Sequence, residues 1–198
     1  MEKREDLRSI KSKMLIKRTF LDLMQESGYQ HITIAKLSRK AMINRKTFYF
    51  HYETLEDLYE EITDEYLHLL DFSPLISSTQ IELSQPEFLV SAVSALEKIK
   101  EQKELFKTLL EDPTNNRFND KLKDFLSSFL LKTLKLTDYA ISKKIPETLI
   151  QSIYSDIFLE ITKWWINQDN ISASEAINIL VSMLSDNMLD ALGLHIIP

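Results

Sequence analysis

Residues able to do covalent or metal chemistry are scarce in this chain. It has four histidines, His31, His51, His68 and His195, and no cysteine. Disulfide frameworks, thiolate zinc sites and cysteine nucleophiles are thereby excluded. No H-E-x-x-H, P-loop or G-x-S-x-G pattern occurs, so the common hydrolase and nucleotide signatures are missing. Glu61, Glu65 and His68 fall on one side of a helical stretch, and Glu65-x-x-His68 has the spacing used in di-iron bundles. Such bundles need a second Glu-x-x-His, and none is present. A solvated flank is the simpler reading; a pocket-lining His68 and a metal site are the alternatives. The second concentration is NRKTFYFHY, residues 44–52. Two cations, Arg45 and Lys46, precede five residues of which four are aromatic and the other is His51. Aromatic enrichment argues for a strand, whereas cations beside ring edges at a surface suit a polyanion.

Charge distribution bears on that choice. The chain has 198 residues and a net charge of −6. Residues 1–52 hold 12 Lys/Arg against 5 Asp/Glu, a net of +7, and residues 53–198 hold 12 against 25, a net of −13. A basic N-terminal quarter on an acidic body points to a polyanion met by that quarter alone. With 44% hydrophobic residues, the chain can bury a core in one large or two small domains. Only two glycines, Gly28 and Gly193, and five prolines occur, which favours helices over a turn-rich sheet. The N-terminal MEKREDLRSIKSK lacks a signal-peptide core, and no apolar run approaches the roughly 18 residues of a membrane span. A soluble cytoplasmic protein without membrane association is expected.

Helical periodicity runs through most of the sequence. Leu7, Ile10, Met14, Phe20, Leu21 and Met24 predict a first helix that ends at Gly28, a natural left-handed residue. Thr33 caps a short second helix that turns Ile34, Leu37 and Ala41 inward and Lys36, Arg39 and Lys40 outward. Asn44 caps a short third helix, and Thr54, with Asp57 three residues on, caps a fourth. Residues 72–86 break the pattern and read as a connection. Helices resume around Phe88–Ile99 and Leu105–Leu110, stop at Asp112-Pro113, and continue around Phe118–Phe129. Pro146 opens a long helix carrying Leu149, Ile153, Ile157, Ile161, Trp164 and Trp165. Ser172-x-x-Glu175 is a capping box for a final helix with Leu180, Leu184 and Met188. The expectation is an all-α fold of about nine helices with no internal repeat.

Placed on a helix, the aromatic run resolves. Phe48 and Tyr52 are four apart, share one face and can pack on Leu37 and Ala41. Lys46, Thr47 and Phe50 point elsewhere, with Tyr49 and His51 on the flanks. Two short helices separated by Met42-Ile43, behind a basic first helix, make a helix-turn-helix, whose second helix enters the major groove. Residues 12–62 resemble the DNA-binding domain of TetR-type bacterial transcriptional regulators. The likeness lies in Gly28-Tyr29, Thr33-Ile34, Leu37, Ala41, Ile43-Asn44, and above all Thr47-Phe48-Tyr49-Phe50-His51-Tyr52 leading into Leu55-Glu56-Asp57-Leu58. In motif terms it covers about a quarter of the chain.

The resemblance implies a division into a DNA-binding domain, residues 1–52, and a helical regulatory and dimerisation domain, residues 53–198. It places Arg45, Lys46, Thr47 and His51 at base edges and Phe50 against a thymine methyl. Thr33 and Tyr49 would bond phosphates, and Lys36 would add charge. Two positions depart from the family pattern: Met42 stands where the turn usually carries glycine, and Leu55 where a phosphate-binding lysine is common. Family members pair their last two long helices, here 147–167 and 174–192, into a four-helix bundle. That implies a homodimer whose interface includes Ile157, Ile161, Trp164, Trp165, Leu180, Leu184 and Met188. The family picture also implies a repressor released from a palindromic operator on double-stranded DNA by a small-molecule inducer. Candidate pocket residues are His68, Phe88, Phe106, Leu109, Phe125 and Phe129, each of which also serves as plain core packing. The alternative is a regulator or activator that answers to a protein partner. No enzymatic activity, cofactor or metal is expected.

Overall fold

Gly28 stops the first helix, as the sequence suggests, though not in the usual left-handed helical geometry. α1 (Leu7–Ser27) buries Ile16, Phe20, Leu23 and Met24, and the chain leaves it through Gly28 at φ 73°, ψ 158°. A Cβ closes that region to other residues. The computed structural model describes residues 7–70, 86–113, 115–134 and 146–184. A 3-10 turn (Tyr29–His31) precedes α2 (Ile34–Lys40), α3 (Arg45–His51) and α4 (Leu55–Leu69). There follow α5 (Pro86–Glu101), α6 (Lys103–Glu111), α7 (Arg117–Leu134), α8 (Glu147–Ile166) and α9 (Ala173–Leu184). The described residues form nine α-helices and no strand, so the fold is all-α.

Local sequence chemistry sets the helix starts. The Thr33 hydroxyl accepts from the Lys36 N–H at 3.1 Å, and the Asn44 side chain accepts from the Lys46 N–H at 2.9 Å. Thr54 and Asp57 bond each other's backbone N–H at 3.1 and 2.9 Å, a reciprocal box at the head of α4. Ser172 and Glu175 do the same before α9, at 3.2 and 2.8 Å. The stretch 72–85 and residue 188 lie outside the described residues.

The described residues divide into two compact units. The first takes those up to Leu67 together with those of 104–118; the second takes those of 68–103 and those from Asn119 onward. The reason is aromatic packing that sequence distance hides. Tyr59 of α4 is fully buried, its ring 6.1 Å from Phe20 of α1 and 5.3 Å from Tyr29. Tyr66 then meets Phe106 of α6 at 5.6 Å, and Phe106 meets Phe118 at 6.1 Å. Edge-on ring pairs of this kind add to the area they bury. α4 and α6 therefore belong to the same core as α1–α3.

In the second unit α5, α8 and α9 pack on one another. Ala92, Leu96 and Ile99, then Leu159, Trp165 and Ile166, then Ala176, Ile177 and Leu180 are buried there. Trp165 Nε1 donates to the Ile171 carbonyl at 3.0 Å. Lys100 Nζ donates to the carbonyls of Gln168 and Ile171 at 3.3 and 3.4 Å while lying 5.0 Å from the Trp165 ring. This cation–π contact and the bonds hold α5 to the α8–α9 turn.

Candidate nucleic-acid interface

The turn between α2 and α3 is built by backbone hydrogen bonds. Met42 N–H bonds the Arg39 carbonyl at 3.2 Å and Ile43 N–H bonds the Ser38 carbonyl at 3.0 Å. This is the Schellman pattern, which requires a left-handed residue. Met42 supplies it at φ 53°, the one non-glycine residue with positive φ among those described. The turn thus keeps the geometry that a glycine would provide, with the strain a side chain adds.

α3 is anchored by one face and leaves the other open. Phe48 and Tyr52 are buried, with their rings 5.8 Å apart, as are Leu37 and Ala41 of the preceding helix. Burial and the nearby Glu61 carboxylate push the Tyr52 phenol far above its ordinary value, so it stays protonated. On the other side Arg45, Lys46, Tyr49 and Phe50 are exposed, Phe50 by 74%, and Thr47 is half-buried. The Phe50 ring meets the neighbouring His51 ring edge-on at 5.0 Å, yet most of its apolar surface remains in solvent. Thr33 is exposed at the head of α2.

Two candidates are engaged elsewhere. The Lys36 ammonium donates to Ser27 Oγ at 2.9 Å, folding back onto the end of α1. His51 Nε2 shares a proton with Ser12 Oγ at 2.7 Å. Ser12 was not among the sequence candidates; its only signal is a small polar residue on α1, a helix read mainly for its apolar stripe.

Two of the five cations of α1, Lys13 and Lys17, are spent on α4. Lys13 and Lys17 meet Glu61 at 2.8 and 2.6 Å, and Lys17 also meets Glu65 at 2.5 Å. Burial opposes ionisation of Glu61, but the bonds and charges of Lys13 and Lys17 outweigh it and hold the carboxyl below its ordinary range. Burial likewise works against the Lys17 ammonium, yet Glu61 and Glu65 raise its pKa. These carboxylates are counter-ions that lock α1 to α4. Lys40 pairs with Glu26. By contrast, the side chains of Arg39, Arg45 and Lys46 make no ion pair among the described residues, so positive charge is available where α2 meets α3. Asp112 is a further residue that sequence reading missed. It registered only as a helix break, but its carboxylate accepts from the Tyr29 N–H at 3.1 Å, just ahead of α2. Arg117 pairs with Glu56 at the head of α4.

The expected pocket residues are divided between the two units. Phe106 and Leu109 are fully buried in the first unit, Phe125 is half-buried in the second, and His68 is exposed at the end of α4. The side chains of Phe88 and Phe129 lie outside the described residues. Among the expected interface residues, Trp165, Ile161 and Leu180 are buried within the protomer. Ile157, Ile161 and Trp164 line an open groove of about 500 Å³ between α8 and α9, with Ile179 and Met183. Leu149, Ile153 and Trp164 expose an apolar stripe along α8. The Leu184 side chain and Met188 lie outside the described residues. Among the described residues, no cluster of three His, Asp or Glu could hold a metal, and no helix is long and apolar enough to cross a membrane.

The C-terminal part decides the family. Residues 89–186 match the family model TetR_C_8, the C-terminal region of transcriptional regulators, behind a first unit with helix-turn-helix geometry. The chain belongs to the TetR family of transcriptional regulators. A TetR-type regulator from Streptococcus agalactiae has the same fold, with a TM-score of 0.72 at 23% identity over 91% of this chain and 97% of that one. A TetR-family protein from Syntrophomonas wolfei gives 0.62 at 19% identity, over 96% and 99%. In sequence, an uncharacterised helix-turn-helix regulator of Bacillus subtilis, YxbF, is 33% identical over 100 residues, 47% of this chain and 26% of that protein. The dhaKLM operon activator DhaS of Lactococcus lactis is 33% identical over 70 residues, 35% of each chain. The matched stretches thus span only about a quarter and a third of those two relatives. All four are transcriptional regulators by name, none an enzyme.

Proposed function

We propose that this TetR-family chain is a homodimeric, sequence-specific regulator that reads a palindromic operator with α3. The observation that carries the reading is the outward face of α3. Arg45, Lys46, Tyr49 and Phe50 stand exposed on a short helix whose other face is fixed by Phe48 and Tyr52. Arg45, Lys46 and Thr47 read base edges, and Phe50 meets a thymine methyl. Thr33 and Tyr49 bond phosphates and fix the register. Lys36 and His51 join them only by releasing Ser27 and Ser12. The DNA-reading part extends past residue 52, because α4 and α6 share its core.

Dimerisation rests on the apolar groove and stripe of α8 and α9, which a second copy covers. One seven-residue helix contacts too few bases for operator specificity; two half-sites nearly square it. The family mode of control is release by a small-molecule inducer, which shifts the population toward a form whose two α3 helices no longer match the half-site spacing. A second reading is a regulator or activator that answers to a protein partner; one relative's description as an activator favours the activator part of it. The test is selection of duplexes from a random-sequence library by the wild-type chain, followed by mobility shifts with Arg45→Ala. Enrichment of a dyad-symmetric sequence that Arg45→Ala binds more weakly, with preference relaxed at one position of each half-site, supports the proposal; no enrichment by the wild type sinks it.

A further inference from the structure

Met42 is 94% exposed and sits in a left-handed conformation that the surrounding hydrogen bonds impose. Those bonds are made by the backbone alone, so glycine would make the same turn without its steric cost. At that exposure the Met42 side chain adds almost no packing to the protomer. The backbone bonds nonetheless fix where that side chain starts, three residues ahead of Arg45 and three after Arg39. Both cations are exposed and without an ion pair among the described residues. Phe50 and Tyr49 add further exposed apolar surface on the next helix.

We infer that Met42 is an additional DNA-contacting residue, making an apolar contact at the rim of the major groove with thymine methyl groups or deoxyribose. The inference rests on the reading of the chain as a DNA-binding regulator. With α3 in the groove and α2 crossing the backbone, the turn joining them lies at the groove edge. Its outward side chain is carried against the sugar–base surface. An unbranched, polarisable thioether conforms to such a surface without needing one fixed geometry, and a thymine methyl offers it an apolar partner. Contact withdraws from water the surface that the free protein leaves bare.

The test uses the full chain and a duplex that the wild type selects from a random-sequence library. Wild type, Met42→Gly, Met42→Ala and Met42→Leu are compared for thermal midpoint and for affinity. Glycine relieves the left-handed strain, so Met42→Gly melts higher; alanine keeps the Cβ and does not. Both lose affinity, by about fourfold for each methylene-sized group that contact buries, and Met42→Leu restores most of it. Deoxyuridine in place of thymidine assigns the contact: a loss at one base pair that is absent in Met42→Gly identifies a thymine methyl, and no such loss identifies deoxyribose. If Met42→Gly and Met42→Ala bind the selected duplex as tightly as the wild type, Met42 has no DNA contact. Failure of the wild type to select any duplex is a different result, and it removes the functional reading itself.

Discussion

Trp164 and Trp165 are adjacent, yet replacing them should have opposite consequences. On a helix they project about 100° apart. Trp165 is 0% exposed, inside the α5–α8–α9 core, while Trp164 is 42% exposed on the apolar groove. Trp165→Ala empties a core site, which typically costs about 3–5 kcal/mol. The lost Nε1 bond adds little, because Lys100 Nζ still donates to the Ile171 carbonyl at 3.4 Å. Against a total stability of about 5–15 kcal/mol for a domain, that loss alone brings the protomer near its unfolding threshold. If the proposed dimer uses this groove, Trp164→Ala removes surface that a second copy covers, so the protomer stays folded and the dimer weakens. Urea unfolding followed by circular dichroism, alongside sedimentation velocity across a concentration series, reads both effects. Two results would refute the reasoning: a Trp165→Ala midpoint equal to wild type, or a Trp164→Ala protein whose dimer is undiminished at low concentration.

Arg45→Ala or Thr47→Ala should weaken selected DNA by about 1–3 kcal/mol and relax preference at one position of each half-site. Lys36→Ala should weaken all sequences alike and reduce the salt slope by about one; salt titrations on selected and random duplexes separate the two classes. Asp112→Ala leaves the Tyr29 N–H without its acceptor and should cost about 1–3 kcal/mol in a denaturant melt. Glu61 titrates below its ordinary value near 4.5 in the folded protein. The stability it contributes is therefore present above that value and is lost as pH falls through the depressed one. Glu61→Gln should melt lower than wild type near neutral pH and converge with it under acid, as followed by thermal melts across pH.

Much of the DNA-reading element was legible because its determinants are local. Thr33, Asn44 and Thr54 cap helices with atoms two or three residues away, and Phe48 and Tyr52 share a face through the helical repeat alone. The Met42 turn was flagged by the family resemblance instead, since that pattern carries glycine there. What could not be read was which helix meets which. The apolar face of α6 shows in Phe106, Leu109 and Leu110, but nothing in that spacing says it packs with Tyr66 and not among the later helices. Glu61 and Glu65 were grouped with His68 by their shared flank on α4. Their partners, Lys13 and Lys17, lie more than forty residues away, beyond any within-helix pattern. Lys36 was placed outward correctly as a helix position, while four methylenes let its ammonium return to Ser27.

Hydroxyl-radical footprinting of the full chain on its selected duplex tests the central claim most directly. Two α3 helices in successive major grooves predict two protected tracts related by a dyad. Their centres should lie about one helical turn apart, or at a longer separation that keeps both on one DNA face. Arg45→Ala should need a higher protein concentration to protect either tract, by the same factor for both, in keeping with a loss of about 1–3 kcal/mol. A single asymmetric tract at concentrations where the protein is monomeric, or protection unchanged by Arg45→Ala, would contradict it.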